Sequence, residues 1–281
     1  MPIIYTIPEI RKYVKAWKEE GLSIGFVPTM GFLHEGHKSL IERAVKENDR
    51  VIVSDFVNPT QFGPKEDLKT YPRDLDRDSQ LCEQAGASLL FCPSPEEMYS
   101  EDYTTYVNME QLSEELCGKS RPNHFRGVCT VVTKLFHIVT PHCAYFGKKD
   151  AQQLAIIQRM VRDLNFDIKI VGCPIIREED GLAKSSRNTY LNPHERKAAL
   201  VLSQALNLGK QHLLQGETSS NVLIDAMTRQ IEQEPLAKID YINIVDASSM
   251  QLIETVNRPV LCAMAVYIGK TRLIDNFFWP E

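Results

Sequence analysis

The chain has 281 residues, enough for one large or two moderate domains with a substantial apolar core. Its formal net charge is −5, and 43% hydrophobic with 25% charged residues is a globular composition that excludes intrinsic disorder. A mildly acidic chain is not expected to have nucleic acid or an anionic membrane as its main partner. No apolar run approaches the roughly 18 residues of a membrane span, and the N-terminal segment has the pattern of neither a signal nor a transit peptide.

The seven cysteines include no C-x-x-C pair of the kind that binds zinc or cycles between thiol and disulfide. Several lie in apolar runs, where a free cysteine behaves as a small buried hydrophobic residue. We therefore expect free, buried thiols in a protein of the reducing cytoplasm. The cysteines are Cys82, Cys92, Cys117, Cys129, Cys143, Cys173 and Cys262.

The N-terminal part of the chain alternates between short apolar runs, which predict strands, and amphipathic stretches, which predict helices. The predicted strands are Ser23–Pro28, Val51–Asn58, Ala87–Cys92, Ala144–Gly147 and Asp167–Pro174. The predicted helices are His37–Glu47, Leu75–Gln84, Val128–Val139 and Ala151–Leu164. Strand–helix–strand alternation of this kind predicts an α/β fold with a doubly wound parallel sheet.

Beyond Arg177 the pattern changes to that of a smaller α+β unit. Asn192 can cap a helix with Pro193 at the first helical position. The later predicted elements are helices over Lys197–Leu214, ended by Gly216, and Val222–Gln233, and strands over Asp240–Val245 and Val260–Ile268. We therefore predict two domains, residues 1–176 and residues 177–281, the second a smaller lid.

The most informative segment is Gly25–Leu40, with the sequence GFVPTMGFLHEGHKSL. An apolar strand leads into a turn that contains Gly31 and Gly36. The helix that follows is predicted to have His34 and His37 in its first turn, where residues three apart share a face. A helix N-terminus presents N–H groups and positive dipole, and glycine allows close backbone approach, so the segment predicts a phosphate site.

Three other interpretations of this segment compete with a phosphate site bordered by two imidazoles. A P-loop needs lysine at the position of His37, and Lys38 comes one residue too late, about 100° around the helix. A metal site built on this H-x-x-H pattern lacks a further Cys, His or partnered Glu nearby. A solvated helix start with incidental histidines is disfavoured by the two glycines and the preceding strand.

The segment resembles the HxGH signature of the nucleotidyltransferase superfamily, and the longer string PTMGFLHEGHKSL resembles the pantothenate synthetase family. Further matching motifs follow in the same order, so the resemblance extends over nearly the whole chain. They are FVNPTQFGPKEDLKTYPRDLDRD (Phe56–Asp78), RPNHFRGVCTVV (Arg121–Val132), YFGKKDAQQL (Tyr145–Leu154), IREEDGLAKSSRNTYL (Ile176–Leu191) and GKTRLIDN (Gly269–Asn276).

This resemblance implies a two-step ligase with a Rossmann-like N-terminal domain and a smaller C-terminal domain. ATP, accompanied by Mg²⁺, adenylates the carboxylate of pantoate with release of pyrophosphate. β-Alanine then attacks the pantoyl adenylate to give pantothenate and AMP. The family also implies a cytoplasmic homodimer with small-molecule substrates, no tightly bound organic cofactor, and no nucleic-acid or membrane partner. We assign no residue as a metal ligand.

The resemblance also implies roles for individual residues. The expected catalytic residues are His37, His34, Lys149 and Arg187. The expected ATP contacts are Met30, Gly31, His34, Gly36, His37, Gly147, Lys148, Lys149, Asp150, Ile176, Lys184, Ser185, Ser186 and Arg187. The expected pantoate ligands are Gln61 and Gln153, with Gln61 also contacting β-alanine. Such cations and N–H donors suit adenylation, which needs no general base because a carboxylate is already ionised at neutral pH.

Four positions depart from the family pattern. Lys184 stands where methionine is usual, so its stem is expected against the adenine and its ammonium toward phosphate or solvent. Lys148 makes the ATP site more positive. Asn123 replaces a glycine and can adopt the same positive φ. Asp55 interrupts an apolar strand, and a buried carboxylate there needs a partner that the sequence does not identify.

The remaining acids and histidines are expected to be solvated or structural. Asp74, Asp76 and Asp78 alternate within a charged helix, where carboxylates are usually solvated. His124 has no spacing that indicates chemistry. Two alternative functions remain open: another HxGH nucleotidyltransferase acting on a small acid or phosphorylated acceptor, and a nucleotide-binding module without catalysis.

Overall fold

The computed structural model describes residues 1–64 and 66–280, which form two compact units. The first unit consists of Met1–Met109, Pro122–Lys148 and Ile156–Pro174. The second consists of Glu110–Arg121, Lys149–Ala155 and the chain from Ile175 onward. Within the described ranges, no helix combines the length and the apolar sequence that a membrane crossing requires.

The helices of the chain vary in length from one turn to more than four. In chain order they are α1 (Ile7–Glu19), α2 (Glu35–Glu47), α3 (Leu75–Gln84), α4 (Pro95–Met98), α5 (Cys117–Ser120), α6 (His124–Val139), α7 (Ala151–Asp163), α8 (Pro193–Ala198), α9 (Leu200–Leu214) and α10 (Ser220–Glu232). Short 3-10 turns lie at Pro59–Gln61, Asp67–Lys69, Lys148–Asp150 and Ser186–Tyr190.

The first unit is built on a six-stranded parallel sheet. Its strands are β1 (Ile3–Ile4), β2 (Ile24–Thr29), β3 (Arg50–Asp55), β4 (Leu89–Phe91), β5 (Cys143–Gly147) and β6 (Lys169–Cys173). The spatial order is β1-β4-β3-β2-β5-β6, and every neighbouring pair is parallel. The predicted doubly wound α/β sheet is therefore confirmed.

The strand order reverses direction between β2 and β5, which are neighbours in the sheet. From β2 the chain proceeds to β3 and β4 on one side, whereas β5 and β6 lie on the other. Open parallel sheets bind ligands beyond the carboxyl ends of their strands at such a reversal. The residues that follow Thr29 and Gly147 therefore occupy the expected ligand site of this sheet.

Sequence patterns located five of these six strands. The predicted strand over Val51–Asn58 is wrong at its end, because β3 stops at Asp55 and Asn58 begins a 3-10 turn by accepting the Thr60 N–H. Sequence analysis missed β1 and α1, and α6 begins four residues before the predicted start. Asn123, just before α6, has φ +69°, so the predicted left-handed conformation at this position is confirmed.

The described cysteines are all free, and five of the seven are buried, as predicted. Cys92 and Cys143 are the exceptions, with half-buried side chains. Burial raises the pKa of Cys82 to about 12, so this thiol remains protonated and unreactive at neutral pH.

The second unit contains a three-stranded antiparallel sheet, β7 (Ala237–Asp246), β8 (Val260–Ile268) and β9 (Thr271–Trp279), in that spatial order. Its apolar side chains form one core with those of α9 and α10. The predicted single helix over Lys197–Leu214 is wrong, because it is divided at Ala199 between α8 and α9. Sequence analysis also missed β9.

Candidate active site

Two histidines lie at the start of α2, directly after the carboxyl end of β2. The predicted placement of both within the first helical turn is wrong for His34, which is the N-cap residue with extended backbone (φ −142°, ψ 178°). Its Nδ1 accepts the Gly36 N–H at 3.1 Å, and His37 Nδ1 accepts the His34 N–H at 3.3 Å. This reciprocal capping holds the ring centroids 4.1 Å apart.

The capping bonds determine which nitrogen of each neutral imidazole carries the proton. Because Nδ1 of both His34 and His37 accepts a backbone N–H, the proton of each neutral ring resides on Nε2. Each ring therefore has its N–H donor at the Nε2 edge, as hydrogen bonding to an anion at a helix N-terminus requires.

The turn between β2 and α2 adopts an unusual backbone conformation. Gly31 has φ +78° and Phe32 has φ +49°, both in the left-handed region. A Cβ at Gly31 would collide with the carboxyl group of Asp55, so only glycine fits here. Thr29 Oγ1 accepts the Gly31 N–H at 3.2 Å and donates to Ser54 O at 2.7 Å, which ties the turn to β3.

Asp78 also contacts this turn, and the prediction that it is solvated is wrong. Its carboxylate is fully buried and accepts the Phe32 N–H at 2.5 Å and the Leu33 N–H at 2.7 Å. A buried charge that accepts two N–H bonds offsets part of its desolvation cost. Asp74 instead caps α3 by accepting the Arg77 N–H.

The partner of Asp55 that the sequence left unidentified is Asp78. The Asp55 carboxyl group packs against Gly31, and Asp78 binds the next two backbone N–H groups, so the two acids meet at one turn, where a hydrogen bond between them requires a proton on one of them. Burial and, to a lesser extent, the adjacent Asp78 carboxylate raise the pKa of Asp55, and Arg73 lowers it, so that the net pKa is about 7.

Gln61, a predicted ligand, lies in the 3-10 turn after β3 and is only 7% exposed. Asn58 Nδ2 donates to Gln61 Oε1 at 3.1 Å, and Gln61 Nε2 donates to Met30 Sδ at 3.0 Å. The Tyr99 hydroxyl donates to Asn58 Oδ1 at 2.8 Å. Because burial raises the pKa of Tyr99 to about 12, this hydroxyl remains a donor at neutral pH.

This chain of hydrogen bonds determines the orientation of the Gln61 amide. Asn58 Oδ1 also accepts from Thr60 Oγ1, and Asn58 Nδ2 also donates to Gly127 O, so the Asn58 amide has one consistent assignment. Gln61 Oε1 is therefore occupied by Asn58, and the Nε2 end lies toward Met30.

His124 also contacts this turn, its Nδ1 lying 3.0 Å from Gln61 O. Sequence analysis assigned no role to Asn58, Tyr99 or His124. Asn58 and His124 lie within two of the recognised motifs, and this position could have indicated their role. Tyr99 lies in none of the motifs.

Gly147 is the last residue of β5 in the first unit, and Lys148 follows it. A Cβ built at Gly147 meets no atom within 4 Å. Protein packing therefore does not require glycine here, and the open space would admit a ligand close to the backbone.

The second unit holds a separate group of predicted substrate ligands, which are Lys149, Asp150 and Gln153. Lys149 Nζ lies 3.9 Å from Asp150 Oδ2, and Lys149 O accepts from Asn276 Nδ2 at 2.7 Å. Gln153 follows the buried Gln152, whose amide donates to Glu115 O at 2.7 Å and accepts the Cys117 N–H at 3.0 Å.

Two further groups of predicted ATP contacts lie in the same unit: Ile176, and the stretch Lys184–Arg187. Ile176 O accepts the Lys184 N–H at 3.0 Å, so this carbonyl is used within the segment. Ser185 Oγ caps the next turn by accepting the Arg187 N–H at 3.3 Å, and Ser186 is buried.

Lys184 is half-buried, and its Nζ lies 3.0 Å from Glu178 Oε2. The ammonium is thus paired with an acid six residues earlier, and its expected contact with ATP stays a prediction.

The structure thus brings together Met30, Gly31, Gly36, the two histidines and Gln61 around the β2 end of the first unit. A parallel sheet with an HxGH turn at its reversal point defines a fold of the nucleotidyltransferase type. Residues 2–278 match the family described as pantoate-beta-alanine ligase. The chain belongs to this family of enzymes, and the resemblance inferred from the motifs is confirmed.

Curated relatives and solved structures agree with this assignment. The chain is 63% identical over 279 residues to the pantothenate synthetase of Clostridium acetobutylicum, covering 99% of each chain. It is 62% identical to that of Ruminiclostridium cellulolyticum, covering 100% of each. The Thermus thermophilus pantothenate synthetase structure has 44% identity and a TM-score of 0.92, covering 99% of each chain. A Francisella tularensis pantoate-beta-alanine ligase, solved with beta-gamma ATP and beta-alanine, has 36% identity and a TM-score of 0.81, covering 99% of this chain and 97% of its own.

Proposed function

We propose that this chain condenses pantoate with β-alanine in an ATP-dependent reaction that proceeds through pantoyl adenylate and releases pyrophosphate and AMP. Family membership over residues 2–278 supports the choice of substrates. The observation that carries the proposed mechanism is the pair of imidazoles whose Nε2 edges carry the donors at the start of α2. The bound ligands of the Francisella tularensis relative support ATP and β-alanine as substrates.

In the first step, a pantoate carboxylate oxygen bonds to the α-phosphorus of MgATP, and the bond from that phosphorus to the pyrophosphate oxygen breaks. Negative charge develops on the α-phosphoryl oxygens and the departing pyrophosphate, where N–H donors and cations stabilise it. We assign this stabilisation to His34 and His37, and phosphate contacts to Lys149 and Arg187. Mg²⁺ enters as part of the nucleotide substrate.

In the second step, the neutral amine of β-alanine bonds to the pantoyl carbonyl carbon, the bond from that carbon to the AMP oxygen breaks, and the amine loses a proton. Gln61 is proposed to donate from Nε2 to pantoate and to lie beside the incoming amine. Gln153 is proposed as the second pantoate ligand. The remaining predicted ATP contacts keep the roles that the resemblance implies; they are Met30, Gly31, Gly36, Gly147, Lys148, Asp150, Ile176, Lys184, Ser185 and Ser186.

The proposal further includes a homodimer in the cytoplasm, as the family resemblance implies. Residues 1–176 would hold ATP and pantoate, and residues 177–281 would form the smaller domain. The oligomeric state is accessible by sedimentation of the purified chain.

Pyrophosphate–ATP isotope exchange tests the first half-reaction directly, because it needs no amine. We expect exchange with pantoate, and none with other small hydroxy acids or without an acid. Addition of β-alanine should then produce pantothenate and AMP in equal amounts. Exchange with a different acid would show that this acid, and not pantoate, is the substrate. No exchange by folded protein that binds ATP would contradict the proposed activity.

Lys184→Met, which restores the residue usual in the family, is expected to change the KM for ATP by less than about threefold. The ion pair of Lys184 with Glu178 is partly exposed, and such pairs contribute about 0–1 kcal/mol. Lys149→Met is the matched control, with a much larger expected loss. A tenfold or greater rise in KM for Lys184→Met would show that its ammonium binds phosphate.

A further inference from the structure

Asp55 and Asp78 lie directly beneath the turn that leads to the two histidines. Asp55 ends β3 beside Thr29, the last residue of β2, and its carboxyl group packs against Gly31. Asp78 reaches the same turn from α3 and holds the next two backbone N–H groups, those of Phe32 and Leu33. The two acids thus contact three consecutive residues of one loop.

Two hydrogen-bonded carboxyl groups cannot both be ionised without strong repulsion, so a single proton between them is the stable state. Asp78 accepts two backbone N–H bonds and is the better holder of the negative charge. Asp55 is then the neutral member that donates to Asp78.

We propose that Asp55 and Asp78 share one proton and that this acid pair positions the Gly31–Leu33 loop, which makes Asp55 a positioning residue for the adenylation step. The catalytic part of this inference rests on the proposed function. Loss of the shared proton would place two adjacent negative charges behind a loop that faces a triphosphate.

The groups that face Asp55 support a proton on this carboxyl near neutral pH. Burial and Asp78 raise its pKa and Arg73 lowers it, with a net pKa of about 7. The thiols of Cys82 and Cys92 lie close by, and burial raises the pKa of both, so they add no charge. Burial raises the pKa of Asp78 as well, and the Leu33 and Phe32 N–H bonds and Arg77 oppose this rise by favouring the ionised form.

The shared proton has a signature in stability that does not depend on activity. An acid whose pKa is raised by folding loses stability as pH increases from its unfolded value, about 4, to its folded value. Asp55→Asn retains an N–H donor toward Asp78 but does not titrate. We therefore expect the Tm of Asp55→Asn minus that of wild type to increase between pH 5 and pH 7 and to level off above it.

Asp76→Asn, an exposed acid on the same helix, is the matched control and should show a constant Tm difference. The ¹³C shift of the Asp55 carboxyl in wild-type protein gives the same information without a variant, with a transition expected at about pH 7. A Tm difference for Asp55→Asn that does not change with pH, or a carboxyl transition at about pH 4, the ordinary aspartate value, would overturn the shared proton.

The positioning role is tested by the KM for ATP in the exchange reaction as pH increases from 6 to 9. Wild type should show a rise above pH 7 of up to about tenfold per pH unit, the limit for one linked proton, whereas Asp55→Asn should not. Identical profiles would overturn the positioning role. Absence of any exchange at all would instead refute the proposed function. The Tm and ¹³C measurements would still show whether Asp55 and Asp78 share one proton.

Discussion

His37→Ala is expected to lower the rate of pyrophosphate–ATP exchange by about 10²-fold or more while the protein remains folded. The Nε2–H of His37 is a fixed donor, because Nδ1 is held by the His34 backbone N–H at 3.3 Å. A donor aimed at charge that develops in the transition state affects kcat more than KM. The measurement is the rate of pyrophosphate–ATP exchange as a function of ATP concentration, at saturating pantoate.

Two further variants separate the lost donor from the lost helix cap. His37→Gln keeps a side chain at N3 that can accept the His34 N–H, as in an ordinary capping box, but replaces the fixed ring Nε2–H with a rotatable amide N–H. We expect its Tm to approach that of wild type and its exchange rate to remain low. His194→Ala removes an exposed histidine from α8 and should have no effect. Near-wild-type exchange by folded His37→Ala would refute the assigned role.

The sheet of the first unit was readable from sequence because its strands obey a local rule. β2 and β3 are buried almost along their length, so each is a run of apolar residues between turns. β9 breaks that rule, since Asp275 and Asn276 interrupt its apolar pattern and yet are buried. Arg177 pairs with Asp275 through two bonds of 2.6 and 2.9 Å, from 98 residues earlier in the chain. A local pattern contains no information about such a distant partner.

The same reason limits what the sequence revealed of the site. The two histidines were recognisable because their spacing and the adjacent glycines are local. Asp78 resembled its exposed neighbour Asp76 in sequence, and only the backbone N–H groups of Phe32 and Leu33, 46 and 45 residues earlier in the chain, distinguish it. The link from Tyr99 to Asn58 spans 41 residues and has no sequence pattern at all.

Gln61→Glu is expected to lower kcat/KM for pantoate in the exchange reaction by about 10²-fold or more, although glutamate has the same shape. Asn58 Nδ2 donates to Oε1 of Gln61, and Nε2 donates one of its two hydrogens to Met30 Sδ, so Nε2 keeps one N–H that we assign to the ligand. Glutamate replaces this donor with a buried anion that faces the carboxylate and hydroxyl oxygens of pantoate. A buried polar group that loses its hydrogen-bond partner in the complex weakens substrate binding far more than a lost apolar contact does.

Tyr99→Phe tests whether the amide orientation, rather than the amide alone, sets this affinity. It removes only the hydroxyl that donates to Asn58 Oδ1, so we expect a rise in KM for pantoate of about fivefold, near the 1 kcal/mol of one hydrogen bond, with kcat nearly unchanged. Gln84→Glu makes the same chemical change at an exposed position of α3 and should leave both constants unaltered. If Gln61→Glu retained wild-type kcat/KM, pantoate would not be bound by a donor at this position, and the acceptor site would have to be sought elsewhere.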